Sequence, residues 1–315
     1  MFQRPLLHSG LVVALAGLLA TALCACASES RRPPDAPHVD LTRPVALIPS
    51  DVDLVLRLDV RRFRETMAPE PLQTLANIWQ GFLLDASGSA PSRAWISPTL
   101  AVTDTLWLGC RLGPLGCKDY VIVLRGNFSA THEKYGFGQD KNQRELGGGW
   151  VSYDANTQER AEIARVYFKP PELAVLVSAA EMDSAELSVE QSVRGTELMP
   201  RESGLVSVLV HSHALADALR ARSPKAAKWL DSSEQVEIRI EPQTTQTTLT
   251  FAVTFSDSPS AELAAKALKL LTGALSQFER RIRASDITVQ QLNSDVVLRV
   301  NLGAHPPEPH AETPE

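Results

Sequence analysis

The chain has 315 residues, of which 44% are hydrophobic, and carries a formal net charge of −6. This length and hydrophobic content predict a folded protein of one large or two modest domains. The mildly acidic balance lacks the basic clusters that contact phosphates, so we do not expect a nucleic-acid partner.

The first 25 residues have the three parts of a secretory signal peptide. Arg4 supplies the positive charge, and the stretch from Leu11 to Leu23 is apolar apart from one glycine and one threonine. This stretch is shorter than the roughly 20 residues that a membrane-spanning helix needs. Small residues follow it, and the sequence becomes polar from Ser28 onward. Residues 1–25 are therefore predicted to direct export and to be removed.

The sequence Leu23-Cys24-Ala25-Cys26 resembles the lipobox of bacterial lipoproteins. In that family, signal peptidase II cuts before a cysteine whose sulfur already carries a diacylglycerol, and fatty acids such as palmitate hold the protein on a membrane. The resemblance implies lipidation of Cys26. Cys24 departs from the family pattern, which more often has Ala, Ser or Thr there. Because Ala27 follows the cysteine in place of Asp, the resemblance also implies sorting to the outer membrane, facing the periplasm.

Two alternatives stay open for the N-terminus. Ordinary secretion would cleave near Ala25 or Ala27 without attaching lipid, and an uncleaved leader would anchor the chain directly. Residues 26–44 are polar and rich in proline, so we expect a flexible tether there. The tail 303–315 is also rich in proline and is predicted to be disordered.

Beyond the lipobox, the remaining cysteines are Cys110 and Cys117. Strand-like segments at 105–112 and 117–125 flank a Gly-Pro turn, and a hairpin centred on it would place the two cysteines directly opposite each other. Cross-strand Cα separations of about 4.5–5.5 Å suit a disulfide. Since an exported protein meets an oxidising compartment, we expect a structural disulfide. The spacing does not fit a reactive C-x-x-C pair, and no neighbouring histidine completes a metal site.

Segments in both halves of the chain alternate apolar and polar residues, as antiparallel strands with one wet face do, and those of the second half are 236–241, 249–255 and 296–302. In segment 54–60, the apolar residues share one face and Arg57 and Asp59 lie on the other. The predicted elements of the first half, in chain order, are a strand at 52–60, a helix at 70–80, the disulfide hairpin, a short helix at 127–137, and strands near 150–154, 164–169 and 173–178.

The second half is predicted to contain six elements. They are a strand at 205–210, a helix at 213–230, strands at 235–241 and 247–255, a helix at 260–282, and a strand at 287–302 that is bent or paired on itself. The buried stripe of the long helix is predicted from its spacing to be Leu263, Ala267, Leu270, Leu271, Ala274, Leu275 and Phe278.

The element pattern predicts an α+β protein with antiparallel sheets packed on helices. The order βαββαβ over 201–302 suggests a ferredoxin-like second domain or half, next to an N-terminal α+β domain or half at 45–200. A shift of 150 residues superposes Val60 on Val210 and Trp79 on Trp229, which suggests a weak internal duplication.

The sequence has no G-x-S-x-G nucleophile motif and no glycine-rich phosphate loop. His211 and His213 share a face at the end of a strand, and with Asp217 they could hold a metal or serve an enzyme. Exposed loop histidines explain the pair more simply. The carboxylate pairs Asp51/Asp53 and Glu237/Glu241 are explained by solvated strand faces. We therefore expect no catalytic residues, no metal and no cofactor.

These observations favour a non-catalytic, membrane-anchored protein with a binding or envelope-organising role, and the mature part resembles other exported lipoproteins. Its expected partners are the membrane, through the lipid, and an envelope protein. The alternative is a periplasmic carrier of a small apolar or lipidic ligand, because apolar sheet faces and helix stripes could enclose a cavity. A third hypothesis is an enzyme assembled from distant residues.

Overall fold

A computed structural model describes residues 44–66, 99–113, 116–128, 143–154, 163–183, 185, 189, 196–220, 224–243, 246–278 and 287–303. Several sequence-based predictions lie outside these residues. They are the signal peptide, the lipidation of Cys26, almost all of the tether and the tail, the helix at 70–80, and most of the helix at 127–137.

The described residues contain twelve strands. They are β1 (Leu54–Asp59), β2 (Thr103–Gly113), β3 (Gly116–Gly126), β4 (Gln143–Glu145), β5 (Val151–Asp154), β6 (Arg165–Lys169), β7 (Leu173–Val177), β8 (Val206–His211), β9 (Ser233–Pro242), β10 (Gln246–Phe255), β11 (Ile287–Leu292) and β12 (Asp295–Gly303). The α-helices are α1 (Val60–Thr66), α2 (Ser212–Arg220), α3 (Pro224–Leu230) and α4 (Ser258–Phe278). Short 3₁₀ turns lie at Pro44–Leu47, Gly147–Gly149 and Ala179–Glu181.

All twelve strands belong to one sheet, in the order β11-β12-β10-β9-β8-β1-β2-β3-β7-β6-β5-β4. Each neighbouring pair is antiparallel. The prediction of an antiparallel α+β protein is confirmed. The strand predicted at 287–302 is paired on itself as the hairpin of β11 and β12.

The strand order of the second half differs from the ferredoxin-like prediction. In the split βαβ arrangement, strands joined through a helix run parallel with another strand between them. Here β8 and β9, which are joined through α2 and α3, are adjacent and antiparallel. The ferredoxin-like order is not confirmed. The outward orders β1-β2-β3 and β8-β9-β10 match on the two sides of the β1/β8 pair, and the internal duplication stays a prediction.

One face of the sheet carries a helix-covered core that runs through both halves. Leu56 and Val208, which face each other across β1 and β8, lie in this core. Phe63 of α1, Ala216 of α2 and Ala264 of α4 pack onto it. Because strand side chains alternate between faces, these contacts use every second residue of each strand.

Among the residues that the structure describes, a second core on the opposite face lies against the strands of the first half. Its members include Val55 of β1, Val123 of β3 and Val175 of β7, covered by Leu47 and Ile48 from the segment that precedes β1. Gly109 of β2 permits this close cover, because a Cβ atom there would overlap Ile48 Cγ2. The central strands of the first half are therefore buried on both faces.

This second core changes the environment of β1. Residues 54–58 are all buried, and Arg57 is only 8% exposed. The prediction that Arg57 lies on a wet face is wrong, because its side chain shares the face of β1 that carries the second core and contacts Gly204 in the segment before β8. Asp59, at the end of β1, keeps 28% of its side chain exposed.

Helix α4 meets the sheet through small residues. Ala261, Ala264 and Ala265 are buried, whereas Leu263 is 72% exposed and Ala267 is also exposed. The predicted buried stripe is therefore wrong at Leu263 and Ala267, because alanine permits the helix backbone to approach the strands closely. Among the described residues, we find no helix with the length and apolar character needed to cross a membrane.

Candidate functional site

The second face of β9, β10, β12 and β11 forms a shallow groove of about 510 Å³, which we call the open polar face. Its position follows from the alternation of side chains, since the apolar residues of these strands point to the helix-covered core. The residues that line the groove are all polar: Arg239, Glu241, Gln243, Gln246, Thr248, Thr250, Thr288, Gln290, Arg299 and Asn301.

A row of alternating arginines and hydroxyl residues crosses the sheet along this face. The strand register places the row in the order Arg57, Ser207, Arg239, Thr250, Arg299, Thr288 on β1, β8, β9, β10, β12 and β11. Neighbouring strands lie about 4.8 Å apart, so consecutive arginine positions are separated by roughly 10 Å. We call this set the arginine–hydroxyl row.

The two inner arginines of the row already have anionic or carbonyl partners. Arg57 Nη1 donates a hydrogen bond to the Gly204 carbonyl oxygen at 3.2 Å, and Arg57 Nη2 lies 3.8 Å from Asp59. Arg239 lies between two carboxylates, 3.2 Å from Glu237 and 3.4 Å from Glu241. The positive charge of these two side chains is therefore balanced within the protein.

Arg299 has a different environment. Its side chain is exposed, and it has no hydrogen-bond or ion-pair partner in the part of the chain that the structure describes. Beside it, the Thr248 hydroxyl donates to Asn301 Oδ1 at 3.0 Å. The outer end of the row therefore combines an available guanidinium with hydrogen-bonding groups that are held in place by rigid strands.

The histidine pair considered from the sequence is brought together at the start of α2. The rings of His211 and His213 lie 5.5 Å apart, centroid to centroid. Burial, assisted by the neighbouring His213, lowers the pKa of His211, and Asp53 opposes this shift. Asp217 accepts a hydrogen bond from Arg220 at 3.0 Å. Within the described ranges, we find no group of three side chains suited to hold a metal ion.

The predicted disulfide joins Cys110 and Cys117, whose Cα atoms are 5.6 Å apart. The predicted register is wrong, because Cys110 lies opposite Tyr120 and Cys117 lies opposite Leu112. An irregularity between Arg111 and Leu112 shifts the pairing, so the two cysteines are diagonal neighbours. The bridge therefore lies at the turn end of this hairpin.

A cluster of charges next to the disulfide was not recognised from the sequence. Arg111 donates hydrogen bonds to Asp51, at 2.7 Å, and to Glu181. Glu181 is only 1% exposed, and this burial raises its pKa to about 7, although Arg111 lowers it and Asp51 and Asp119 raise it. Glu181 lies in a stretch without strand or helix periodicity, so no sequence pattern indicated its burial.

The carboxylate pairs noted in the sequence have structural partners. Asp51 pairs with Arg111, and Asp53 Oδ2 accepts a hydrogen bond from the Leu112 backbone N–H at 2.9 Å. Glu237 and Glu241 flank Arg239 on β9. These contacts position the segment before β1 and neutralise Arg239 in the arginine–hydroxyl row.

Compared with protein-family models and with curated protein sequences, the chain matches none. It is similar to solved structures of TP0453. Crystal form IV has 10% sequence identity and a TM-score of 0.52, over 82% of this chain and 93% of that chain. Crystal form I has 11% identity and a TM-score of 0.50, over 83% and 94%. At this identity the likeness concerns the fold alone.

Proposed function

We propose that the protein is an exported lipoprotein, anchored by lipid on Cys26, that works without catalysis by binding a partner of the cell envelope. The open polar face is its binding surface. The observation that carries this proposal is that one sheet has both faces covered across β1, β2, β3 and β7, but presents a bare polar groove across β9–β12.

The architecture supports a binding role in two ways. Strands hold the lining side chains of the groove in fixed positions, and binding sites built on rigid elements are more precise than sites built on loops. The lining also supplies guanidinium, amide, hydroxyl and carboxylate groups, which recognise a ligand through hydrogen bonds. The lipid anchor and the outer-membrane location follow from the resemblance to the lipobox, and a disulfide suits an oxidising compartment.

The alternative of an apolar carrier receives no support from this groove. A carrier of lipidic ligands needs an enclosed cavity with mainly apolar walls. The open polar face is shallow and lined by polar side chains. We therefore prefer a polar partner, and the carrier remains a prediction from the sequence.

Site-specific crosslinking in intact envelopes tests the binding role. A photoreactive residue in place of Thr288, which is exposed in the groove, should give a reproducible crosslinked product. The matched control replaces Glu145, an exposed strand residue on β4 at the other end of the sheet, and should give none. If Thr288 yields no product, or only the products that Glu145 yields, the proposed binding role of this face is wrong.

Mass spectrometry of the purified protein tests the anchor separately. The expected N-terminus is a lipid-modified Cys26, and Cys26→Ser should release the protein from the membrane fraction. An unmodified start at Ala27, or an intact leader, would contradict the lipoprotein assignment.

A further inference from the structure

We propose that the open polar face binds an acidic oligosaccharide, with an anionic group at Arg299 and sugar hydroxyls at the exposed and partly exposed side chains that line the groove around it. This inference rests on the proposed function, because it names the chemical class of the partner that the same face would bind. It is carried by the unequal charge balance along the row and by the composition of the lining.

The charge balance identifies one position for an anion. Arg57 and Arg239 already contact carboxylates, whereas Arg299 has no partner among the described residues. A guanidinium binds carboxylate or phosphate through two parallel charge-assisted hydrogen bonds. The groove therefore offers one site for an anionic group at its outer end, next to the exposed Thr288 on β11, whereas Thr250 on β10 is buried.

The rest of the lining fits a ligand rich in hydroxyl groups. Four of the lining side chains are primary amides and three are hydroxyls: Gln243, Gln246, Gln290 and Asn301, with Thr248, Thr250 and Thr288. Thr248 and Thr250 are buried, so the amides and Thr288 form the accessible part of this set. Amides and hydroxyls both donate and accept hydrogen bonds, as sugar hydroxyls do. Glu241 adds a carboxylate whose oxygens accept hydrogen bonds from hydroxyl groups.

Other macromolecules suit the groove less well. The cores of protein–protein interfaces are enriched in aromatic residues and methionine, and the lining of this groove contains neither. Single-stranded nucleic acids need aromatic stacking platforms and several cations along the backbone. An uncharged glycan would leave Arg299 without a partner. The combination of one available cation and many neutral hydrogen-bonding groups favours an acidic oligosaccharide.

Isothermal titration calorimetry on the mature protein tests the inference with three probes: tetragalacturonate, the neutral tetrasaccharide maltotetraose, and the acidic peptide tetraglutamate. We expect tetragalacturonate to bind most tightly. Arg299→Gln should weaken it about tenfold or more, which corresponds to loss of a charge-assisted hydrogen bond. Arg125→Gln, which changes an exposed strand arginine on β3, is the matched control and should leave the affinity unchanged.

Thermal unfolding of both variants checks that they are folded, and since both side chains are exposed we expect unchanged midpoints. Equal affinity for maltotetraose, or an equal effect of Arg125→Gln, would overturn the inference. Tighter binding of tetraglutamate would overturn it in favour of an acidic peptide. If tetragalacturonate does not bind while the Thr288 crosslink persists, the oligosaccharide is wrong and the proposed function stands. If both are absent, both proposals fail.

Discussion

The two halves of the sheet differ in what covers their second face. Across β1, β2, β3 and β7, apolar residues of that face pack beneath the segment that precedes β1. Across β9–β12, the same face presents arginine, threonine and amide side chains to a groove. The hydrogen-bonded ladder is continuous through both halves. A single sheet therefore provides a core on both faces at one end and an exposed surface at the other, because the segment before β1 and residues between β7 and β8 cover the second face of the first half.

A charge placed on each half tests this difference most directly. Val123 on β3 is fully buried in the second core, and Val297 on β12 is a partly exposed residue of the same face in the open half. We expect Val123→Glu to lower the free energy of unfolding by about 4 kcal/mol, because it buries an unpaired charge. Val297→Glu should change it by less than about 1 kcal/mol. Urea denaturation measures both, and equal losses would refute the distinction.

The pH dependence of stability should report on the covered half through Glu181. Its folded pKa of about 7 lies above the unfolded value near 4.5, so the native state binds more protons between these values. The free energy of unfolding should therefore fall as pH rises from about 5 to 7, by up to about 3 kcal/mol. Glu181→Gln should remove most of this slope in urea titrations at several pH values. A slope that Glu181→Gln leaves unchanged would exclude this carboxyl as its source.

Removal of the disulfide should have a somewhat smaller effect. The bridge joins residues seven positions apart, and the entropy of closing so short a loop predicts a loss of roughly 2–3 kcal/mol for the double variant Cys110→Ser/Cys117→Ser. Denaturation of the wild-type protein with and without reductant provides the comparison. Reduced wild type should match the double variant, and stability that is insensitive to reductant would contradict a structural role.

The smallest effect is expected on the helix over the open half. Leu263 of α4 is 72% exposed, so Leu263→Gln should change the free energy of unfolding by no more than about 0.5 kcal/mol. Ala264→Leu, one position along, should cost about 1–3 kcal/mol because it crowds the contact with the sheet. A larger loss of unfolding free energy for Leu263→Gln than for Ala264→Leu would indicate that Leu263 is buried against the sheet, as the sequence predicted.

The sequence predicts those features that depend on neighbouring residues in one strand or helix, and it does not predict those that depend on contacts between distant segments. The polar face of β9, β10 and β12 is predicted from alternation, since Glu237 and Arg239 and then Thr248 and Thr250 recur at every second position. The burial of Arg57 was not predictable in this way, because it depends on residues distant in sequence, such as Gly204, whose carbonyl oxygen accepts a hydrogen bond from Arg57. Glu181 likewise becomes buried only when the segment after β7 reaches Arg111, and local patterns contain no information on such contacts.

The arrangement of β1 beside β8 has a consequence for biogenesis. During synthesis β1 emerges long before β8, so one edge of β1 lacks its native neighbour while the first half can complete its other pairings. Unpaired strand edges readily recruit strands from other molecules. A chain halted before residue 206 would therefore expose a strand edge of β1 that can pair with strands of other molecules.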